Sequence, residues 1–220
     1  NARQLPVEAY DNGLILDIRA AAILMEKGVD VGLQSIGSRI RPDLLYYPDE
    51  DEYVRSEYTE YSAYELVPKK QARVITYSLD GINRYPDTVL YTNAHGQKFM
   101  VFAFDAAFTQ EDRYRSYCMQ RLLYRSIEWL GDSPLPAKCA GNPDLYILCR
   151  KSTDGLAIGL WNFFPDTIES PTVELDESYP AADFINCTGE LKGRILKLSA
   201  LTPYAFACVE LKKQGGAQPL

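Results

Sequence analysis

Short hydrophobic runs, separated by Gly, Asp and charged residues, divide the start of the chain into predicted elements. The run 13–17 predicts a short strand whose last residue, Asp17, is suited to cap a helix. That helix is predicted over 19–27, and Gly28 can end it in a left-handed conformation. A further extended segment is predicted over 29–36, so the sequence begins with a strand–turn–helix unit.

Four more runs have the β-branched and aromatic composition of strands. They cover 61–67, 73–79, 88–92 and 99–104. The connections between them are short and carry turn residues, which favours antiparallel pairing. His95, the one histidine, is therefore predicted to be a hairpin residue rather than a ligand or a base. A helix with a broad apolar face follows, from a cap at Thr109 to Gly131.

Pro134 and Pro136 form a stiff connector that cannot continue this helix, and they predict a domain boundary. Beyond them the pattern contains strands alone, over 145–150, 156–164, 172–175, 182–187, 194–198 and 204–211. Six short strands at this spacing predict a small antiparallel sandwich. The predicted fold class is an α/β portion over 1–134, then an all-β antiparallel sandwich over 135–213 and a flexible tail over 214–220.

The composition of the 220 residues, 46% hydrophobic and 24% charged, excludes a disordered or fibrous chain. No segment has the roughly 18 uninterrupted apolar residues of a membrane helix, and the amino terminus lacks a signal-peptide pattern. We therefore expect no membrane partner. The start Asn1-Ala2, without an initiator methionine, predicts a fragment of a longer protein whose chemistry lies upstream.

The negative charge is concentrated in residues 43–65, which hold eight acidic residues against Arg55. The remaining residues comprise 22 acids and 22 bases. Such a chain has no basic surplus to neutralise phosphates, which argues against a nucleic-acid partner. The acidic run predicts a solvated loop, with a cation- or substrate-binding rim as the alternative. Its segment 49–52 lacks the spaced ligands and central glycine of a calcium loop.

Five cysteines without a C-x-x-C pair argue against a thiolate zinc site and a redox dithiol. Cys149, Cys187 and Cys208 lie in apolar, strand-like contexts, where cysteine behaves as a small buried hydrophobe. Free thiols favour a reducing compartment such as the cytoplasm. We predict no metal site and no cofactor.

A glycosidase site needs two carboxyl groups about 5 to 10 Å apart. The candidates in this sequence are Glu57 and Glu60, which are flanked by Tyr58 and Tyr61. Composition favours a solvated pair, so these four residues are candidate sugar contacts and no catalytic residue is predicted. A carbohydrate-binding module that uses exposed Tyr or Trp is the alternative function, although a core position is expected for Trp161.

The order of these segments resembles the carboxy-terminal region of bacterial β-galactosidase-like glycoside hydrolases. Residues 13–28 are similar to a late strand–helix unit of that family's amidotransferase-like domain, and 98–105 with the helix ending at 127–131 resemble its last strand and helix. Residues 201–211 resemble the closing strand of a small β domain. The resemblance implies a flavodoxin-like portion that mediates trimerisation and follows a catalytic (β/α)-barrel.

The chain departs from this family where chemistry would be needed. An amidotransferase requires a nucleophilic cysteine on a strand-to-helix elbow and a histidine base, and none of the five cysteines has that setting. The first strands of the family's sheet are missing, so 1–134 is expected to be incomplete. The sequence therefore predicts a non-catalytic accessory or oligomerisation region of a larger carbohydrate-active protein. The expected partners are an upstream catalytic domain, further copies of the chain and carbohydrate.

Overall fold

The computed structural model of the protein describes residues 7–10, 13–55, 63–105, 117–139, 142 and 144–213. Strands take 52% of this described part and helices 13%, so the fold is mostly β. The described residues form two compact units: the first contains the residues up to 105 together with 126–132, and the second contains 117–125 together with 133–213.

The first unit contains one complete helix and nine strands. The helix α1 is Ile18–Glu26. The strands are β1 (Val7–Tyr10), β2 (Gly13–Leu16), β3 (Leu33–Ile40), β4 (Leu44–Tyr47), β5 (Glu52–Arg55), β6 (Ala63–Pro68), β7 (Arg73–Asp80), β8 (Asn83–Thr92) and β9 (Lys98–Phe102).

These strands form a seven-stranded sheet, in the order β1-β2-β9-β8-β7-β4-β5, and a two-stranded sheet, β3-β6. In the larger sheet β2 and β9 run parallel, and the other described neighbours run antiparallel. The predicted α/β portion, amidotransferase-like or flavodoxin-like, is therefore wrong. A doubly wound sheet needs a helical crossover between successive parallel strands, whereas tight turns join β7, β8 and β9.

The local prediction for residues 13–28 is confirmed. Asp17 is buried and its Oδ1 accepts a hydrogen bond of 2.8 Å from the amide of Ala20, which caps α1. Gly28 follows the helix with a φ of 78°, in the left-handed region that glycine tolerates. The strand–helix unit was thus predicted correctly, but its strand belongs to a mainly antiparallel sheet.

The second unit contains eight strands. They are β10 (Ala137–Lys138), β11 (Leu145–Lys151), β12 (Gly155–Asn162), β13 (Thr172–Leu175), β14 (Ala181–Ile185), β15 (Gly189–Lys192), β16 (Ile195–Leu198) and β17 (Phe206–Lys212). They form two antiparallel four-stranded sheets, β10-β13-β16-β15 and β11-β12-β17-β14.

The two sheets enclose one hydrophobic core, as the predicted sandwich requires. Val173 and Leu196 enter this core from one sheet, and Ile158 and Val209 enter it from the other; all four are fully buried. Strands β10 and β15 were not predicted because the first is two residues long and the second is mostly polar and exposed.

The second helix, α2, is Tyr117–Gly131, and it ends at Gly131 as predicted. Its residues 117–125 belong to the second unit and 126–131 to the first. Neither of the two helices in the described residues is long and apolar enough to cross a membrane. The predicted cap Thr109 and the predicted tail 214–220 lie outside the described residues.

Candidate functional site

The four sugar-contact candidates, Glu57, Tyr58, Glu60 and Tyr61, lie outside the described residues. In the described part of the acidic run, 44–47 and 52–55 pair as the β4–β5 hairpin. The interpretation as a solvated loop is wrong for these two strands and holds for the turn between them, where Asp49 and Asp51 are exposed. The acids stand next to the Leu and Tyr residues of 44–47, which form the first strand of the hairpin.

Groups that bind metals or act as nucleophiles are not gathered into a site in the described part of the chain. No set of three or more His, Cys, Asp or Glu side chains there could hold a metal ion. All five cysteines are free thiols. Burial raises the pKa of Cys139 to about 12, and burial together with the nearby Asp176 carboxylate raises the pKa of Cys149 to about 11. These two thiols stay protonated at neutral pH and are poor nucleophiles.

His95 lies exposed in the turn between β8 and β9. Its amide donates a hydrogen bond of 2.9 Å to the Asn93 side chain, which also accepts from the amide of Gln97 at 3.0 Å. The prediction of a hairpin residue is confirmed.

One face of the sheet β11-β12-β17-β14 is turned away from the sandwich core, and we call it the outer face. Strand alternation defines it: in β12, Leu156, Ile158 and Leu160 are buried in the core, and the residues between them point to the opposite side. The residues of the outer face are Tyr146, Leu148, Arg150, Gly155, Ala157, Gly159, Trp161, Ala181, Asp183, Ile185, Phe206, Cys208, Glu210 and Lys212.

The first row of the outer face is aromatic. Trp161 pairs with Tyr146 on one side and with Phe206 on the other. The ring centroids are 5.9 Å apart for Tyr146 and Trp161, and 4.5 Å apart for Trp161 and Phe206. Phe163 adds a ring 5.9 Å from that of Tyr146. Tyr146 and Phe163 are 54% and 62% exposed, so this row presents aromatic surface to solvent.

The next two rows change from apolar to charged along the strands. Register places the following residues side by side in the second row: Leu148, Gly159, Cys208 and Ile185. The third row consists of Arg150, Ala157, Glu210 and Asp183. The outer face is therefore aromatic at one end, aliphatic in the middle and charged at the other end.

Gly159 sets the position of the Trp161 ring. A Cβ atom at Gly159 would lie 2.9 Å from Cζ3 and 3.0 Å from Cη2 of Trp161. The indole therefore lies over the glycine, along the sheet surface, in space that any other residue would fill. This arrangement leaves a broad apolar ring on an exposed face.

The expectation that Trp161 occupies the core is wrong. Strand β12 uses its even-numbered residues for the core, and Asn162 fills the last of these positions. The buried Asn162 side chain donates hydrogen bonds to the carbonyl oxygens of Asp166 at 2.7 Å and Leu201 at 3.1 Å. The alternation of Leu156, Ile158 and Leu160 contained the signal that places Trp161 outside.

The geometry of the outer face suits an apolar partner better than a single sugar ring. The planes of Tyr146 and Phe206 are tilted by 60° and 36° from that of Trp161, so the rings do not form a flat platform. The middle row is apolar, and the charged row begins four residues, or about 13 Å, along the strand. A sugar stacked on Trp161 would not reach those charges.

A polar cluster at the edge of the sandwich is internally neutralised. Lys151 Nζ lies 2.5 Å from Asp176 Oδ2 and 3.2 Å from Glu177 Oε1, and Lys213 lies 3.1 Å from Glu177. Hydrogen bonds from Lys213, Tyr179 and Lys151 lower the pKa of Glu177 to about 2. Because two bases match two acids, the cluster stabilises the fold and offers no surplus charge to a ligand.

Another polar cluster lies inside the first unit. Asp87 is fully buried, and its carboxylate accepts hydrogen bonds from Thr76 at 3.0 Å, Ser78 at 2.9 Å and Thr88 at 3.1 Å. These hydroxyls reach both carboxylate oxygens and join β7 to β8. The satisfied, buried network is structural.

No protein-family model matches the chain, and no curated protein matches it. Solved structures with a similar fold include α-L-fucosidase isoenzyme 2 from Paenibacillus thiaminolyticus. The TM-score is 0.58 at 9% identity, over 91% of this chain and 36% of the fucosidase. At this identity the likeness is one of fold alone, and it shows that the chain is similar in fold to part of this fucosidase.

Two β-galactosidases are similar at a lower level. The GH42 β-galactosidase from G. stearothermophilus has a TM-score of 0.43 at 13% identity, over 83% of this chain and 24% of its own. The β-galactosidase from Bacillus circulans sp. alkalophilus has a TM-score of 0.42 at 10% identity, over 81% and 24%. These similarities are too low to support an argument. The chain spans only about a quarter to a third of the length of all three structures.

Proposed function

We propose that this chain is a non-catalytic accessory region of a larger carbohydrate-active protein of the glycoside hydrolase type, and that it helps subunits of that protein associate. The carbohydrate class is supported by the fold shared with the α-L-fucosidase, of which the chain covers 36%. An upstream catalytic domain would supply the acid and the nucleophile.

The observation that carries the association role is the outer face. Tyr146, Leu148 and Ile185 on this face are 54%, 55% and 44% exposed, and Phe206 and Trp161 lie between them. Water-soluble monomers rarely leave contiguous apolar patches of this kind uncovered. A second chain or a neighbouring domain would remove these side chains from water, which is the main favourable term in association.

Sedimentation velocity of the 220-residue chain over a wide concentration range tests the association role. We expect a concentration-dependent oligomer, and we expect Leu148→Asp on the outer face to weaken it. Lys192→Asp, on an exposed strand of the opposite sheet, is the matched control. A strict monomer at the highest concentration would contradict association.

An activity screen tests the non-catalytic part of the proposal separately. The chain is incubated with chromogenic galactosides, glucosides and fucosides, and with glutamine. We expect no turnover above the rate without protein. Turnover that disappears in Glu57→Gln or Glu60→Gln would show that the chain is an enzyme.

A carbohydrate-binding module is the second candidate, because Trp161 and Tyr146 place aromatic rings on an exposed surface. Titration with galactose-, glucose- and fucose-containing oligosaccharides, followed by tryptophan fluorescence, tests it. A saturable change that Trp161→Ala abolishes and Trp129→Phe retains would favour this function over association.

A further inference from the structure

We propose that the outer face binds the same face of a second copy of this chain, around a two-fold axis that runs parallel to the strands between β12 and β17. This inference rests on the proposed association role and names the surface and register that perform it.

The strand order makes the outer face complementary to itself. In the order β11-β12-β17-β14, such an axis exchanges β11 with β14 and β12 with β17, and it keeps each row opposite itself. Facing sheets commonly pack in this aligned way, about 10 Å apart. The axis therefore produces an isologous contact, the kind most homodimers use.

The apolar rows match under this symmetry. Trp161 lies opposite the partner's Phe206, and Leu148 lies opposite the partner's Ile185. Gly159 lies opposite the partner's Cys208 next to the axis. The Trp161 ring covers Gly159, so this ring also lies near the partner's Cys208.

Charge complementarity is the argument for a second copy rather than another apolar partner. Arg150 lies on β11 at one edge of the third row, and Asp183 lies on β14 at the other edge. Three strand spacings, about 14 Å, separate them, so they cannot pair within one chain. The two-fold axis brings Arg150 opposite the partner's Asp183, and it does so twice in each dimer.

The third row has room for this contact. Lys212 pairs with Asp183 inside the chain at 2.5 Å, and the Asp183 side chain still remains 58% exposed. Ala157 lies opposite the partner's Glu210, so that carboxylate meets a methyl group instead of a like charge. Both edges of the row therefore bring Arg150 and the partner's Asp183 together as opposite charges.

A charge-swap experiment tests this register. Sedimentation velocity in 0.1 M salt is performed on the wild-type 220-residue chain, on Arg150→Asp, on Asp183→Arg and on the double variant. Each single reversal places like charges at two symmetric contacts, and we expect it to raise the dimer Kd about tenfold. The double variant restores opposite charges at both contacts, and we expect its Kd to return to within about threefold of wild type.

Mixing the two single variants is the sharpest measurement. Arg150→Asp has an acid at both positions, and Asp183→Arg has a base at both. The mixture should therefore form heterodimers, while each variant alone stays largely monomeric. Circular dichroism confirms that the variants fold, and Lys192→Asp on the opposite sheet should leave the Kd unchanged. An oligomer whose Kd changes with neither reversal contradicts this register but leaves the association role standing. A wild-type monomer overturns both the register and the proposed association role.

Discussion

Glu177 couples the stability of the sandwich to pH. Its pKa lies at about 2 in the folded chain, against a reference value of 4.5, because Lys213, Tyr179 and Lys151 donate hydrogen bonds to it. A lowered pKa in the folded state stabilises the protein above pH 4.5, and this stabilisation is lost as the pH falls towards 2. Glu177→Gln removes this titration. We expect the variant to be less stable than wild type at pH 7 and to lose less stability between pH 7 and pH 3.

Urea unfolding midpoints at pH 7, 5, 4 and 3 measure this difference. Glu174→Gln, at an exposed position of β13, serves as the control and should retain the pH dependence of wild type. Parallel pH profiles for wild type and Glu177→Gln would show that Glu177 is not the titrating group.

Asp87 holds the β7–β8 pair together from within. Asp87→Ala would leave the buried hydroxyls of Thr76, Ser78 and Thr88 without their common acceptor. We expect this variant to lower the free energy of unfolding by about 2 to 4 kcal/mol, because buried donors without partners are costly. Asp80→Ala at the exposed end of β7 should change it by less than about 0.5 kcal/mol. Urea unfolding of the two variants gives the comparison, and equal effects would contradict the structural role of Asp87.

Two glycines on strand β12 face the same side of the sheet but meet different neighbours. A Cβ at Gly155 would lie 1.9 Å from the backbone oxygen of Leu211 on β17, whereas a Cβ at Gly159 would meet the far end of the half-buried Trp161 side chain. We expect Gly155→Ala to destabilise the chain by about 3 kcal/mol, because the β12–β17 ladder must move. Gly159→Ala should cost about 1 kcal/mol or less, because the indole can rotate away.

Thermal unfolding separates these two variants, and the fluorescence of Trp161 provides a second measurement. Gly159→Ala should shift the emission maximum while leaving the unfolding transition cooperative. If Gly159→Ala were as destabilising as Gly155→Ala, the indole would be held firmly, and the outer face would be a rigid part of the fold.

The sequence predicted six of the eight strands of the sandwich, because buried residues recur at alternate positions in strands such as β12 and β17. In β12 the buried residues Leu156, Ile158 and Leu160 define the core face, and the same period places Gly159 and Trp161 outside. Tryptophan is usually buried, but the period of β12 places Trp161 on the outer face. The outer face was not predicted, because apolar residues on both faces of a strand are also the pattern of a fully buried strand.

The α/β prediction failed for a different reason. The strand–helix unit ending at Gly28 has correct local signals, and its strand pairs in parallel with β9. Parallel pairing between two strands does not determine the direction of the others, which depends on the connections. The turns at 81–82 and 93–97 make those connections tight, and they were visible in the sequence. These tight turns, and not the strand–helix unit, determine that the sheet is mainly antiparallel.

The two compact units of the molecule interleave along the chain, and helix α2 contributes to both. Within the second unit, the Tyr124 hydroxyl donates a hydrogen bond of 3.3 Å to the carbonyl oxygen of Cys139. Burial raises the pKa of Tyr124, and the nearby Cys139 and Cys149 thiols contribute to the shift. The ring of Tyr124 thus belongs to the sandwich although it precedes Pro134 in the sequence.

We therefore expect the autonomous second unit to begin before α2 rather than after Pro134. A fragment of residues 114–213 should melt about 5 °C above a fragment of residues 135–213, because the shorter one loses a half-buried ring and a hydrogen bond worth about 1 kcal/mol. Tyr124→Ala in the longer fragment is the matched control, and it should remove much of the difference. Differential scanning calorimetry measures all three proteins. Equal melting temperatures for the two fragments would instead place the boundary of the sandwich at the proline connector and leave α2 with the first unit.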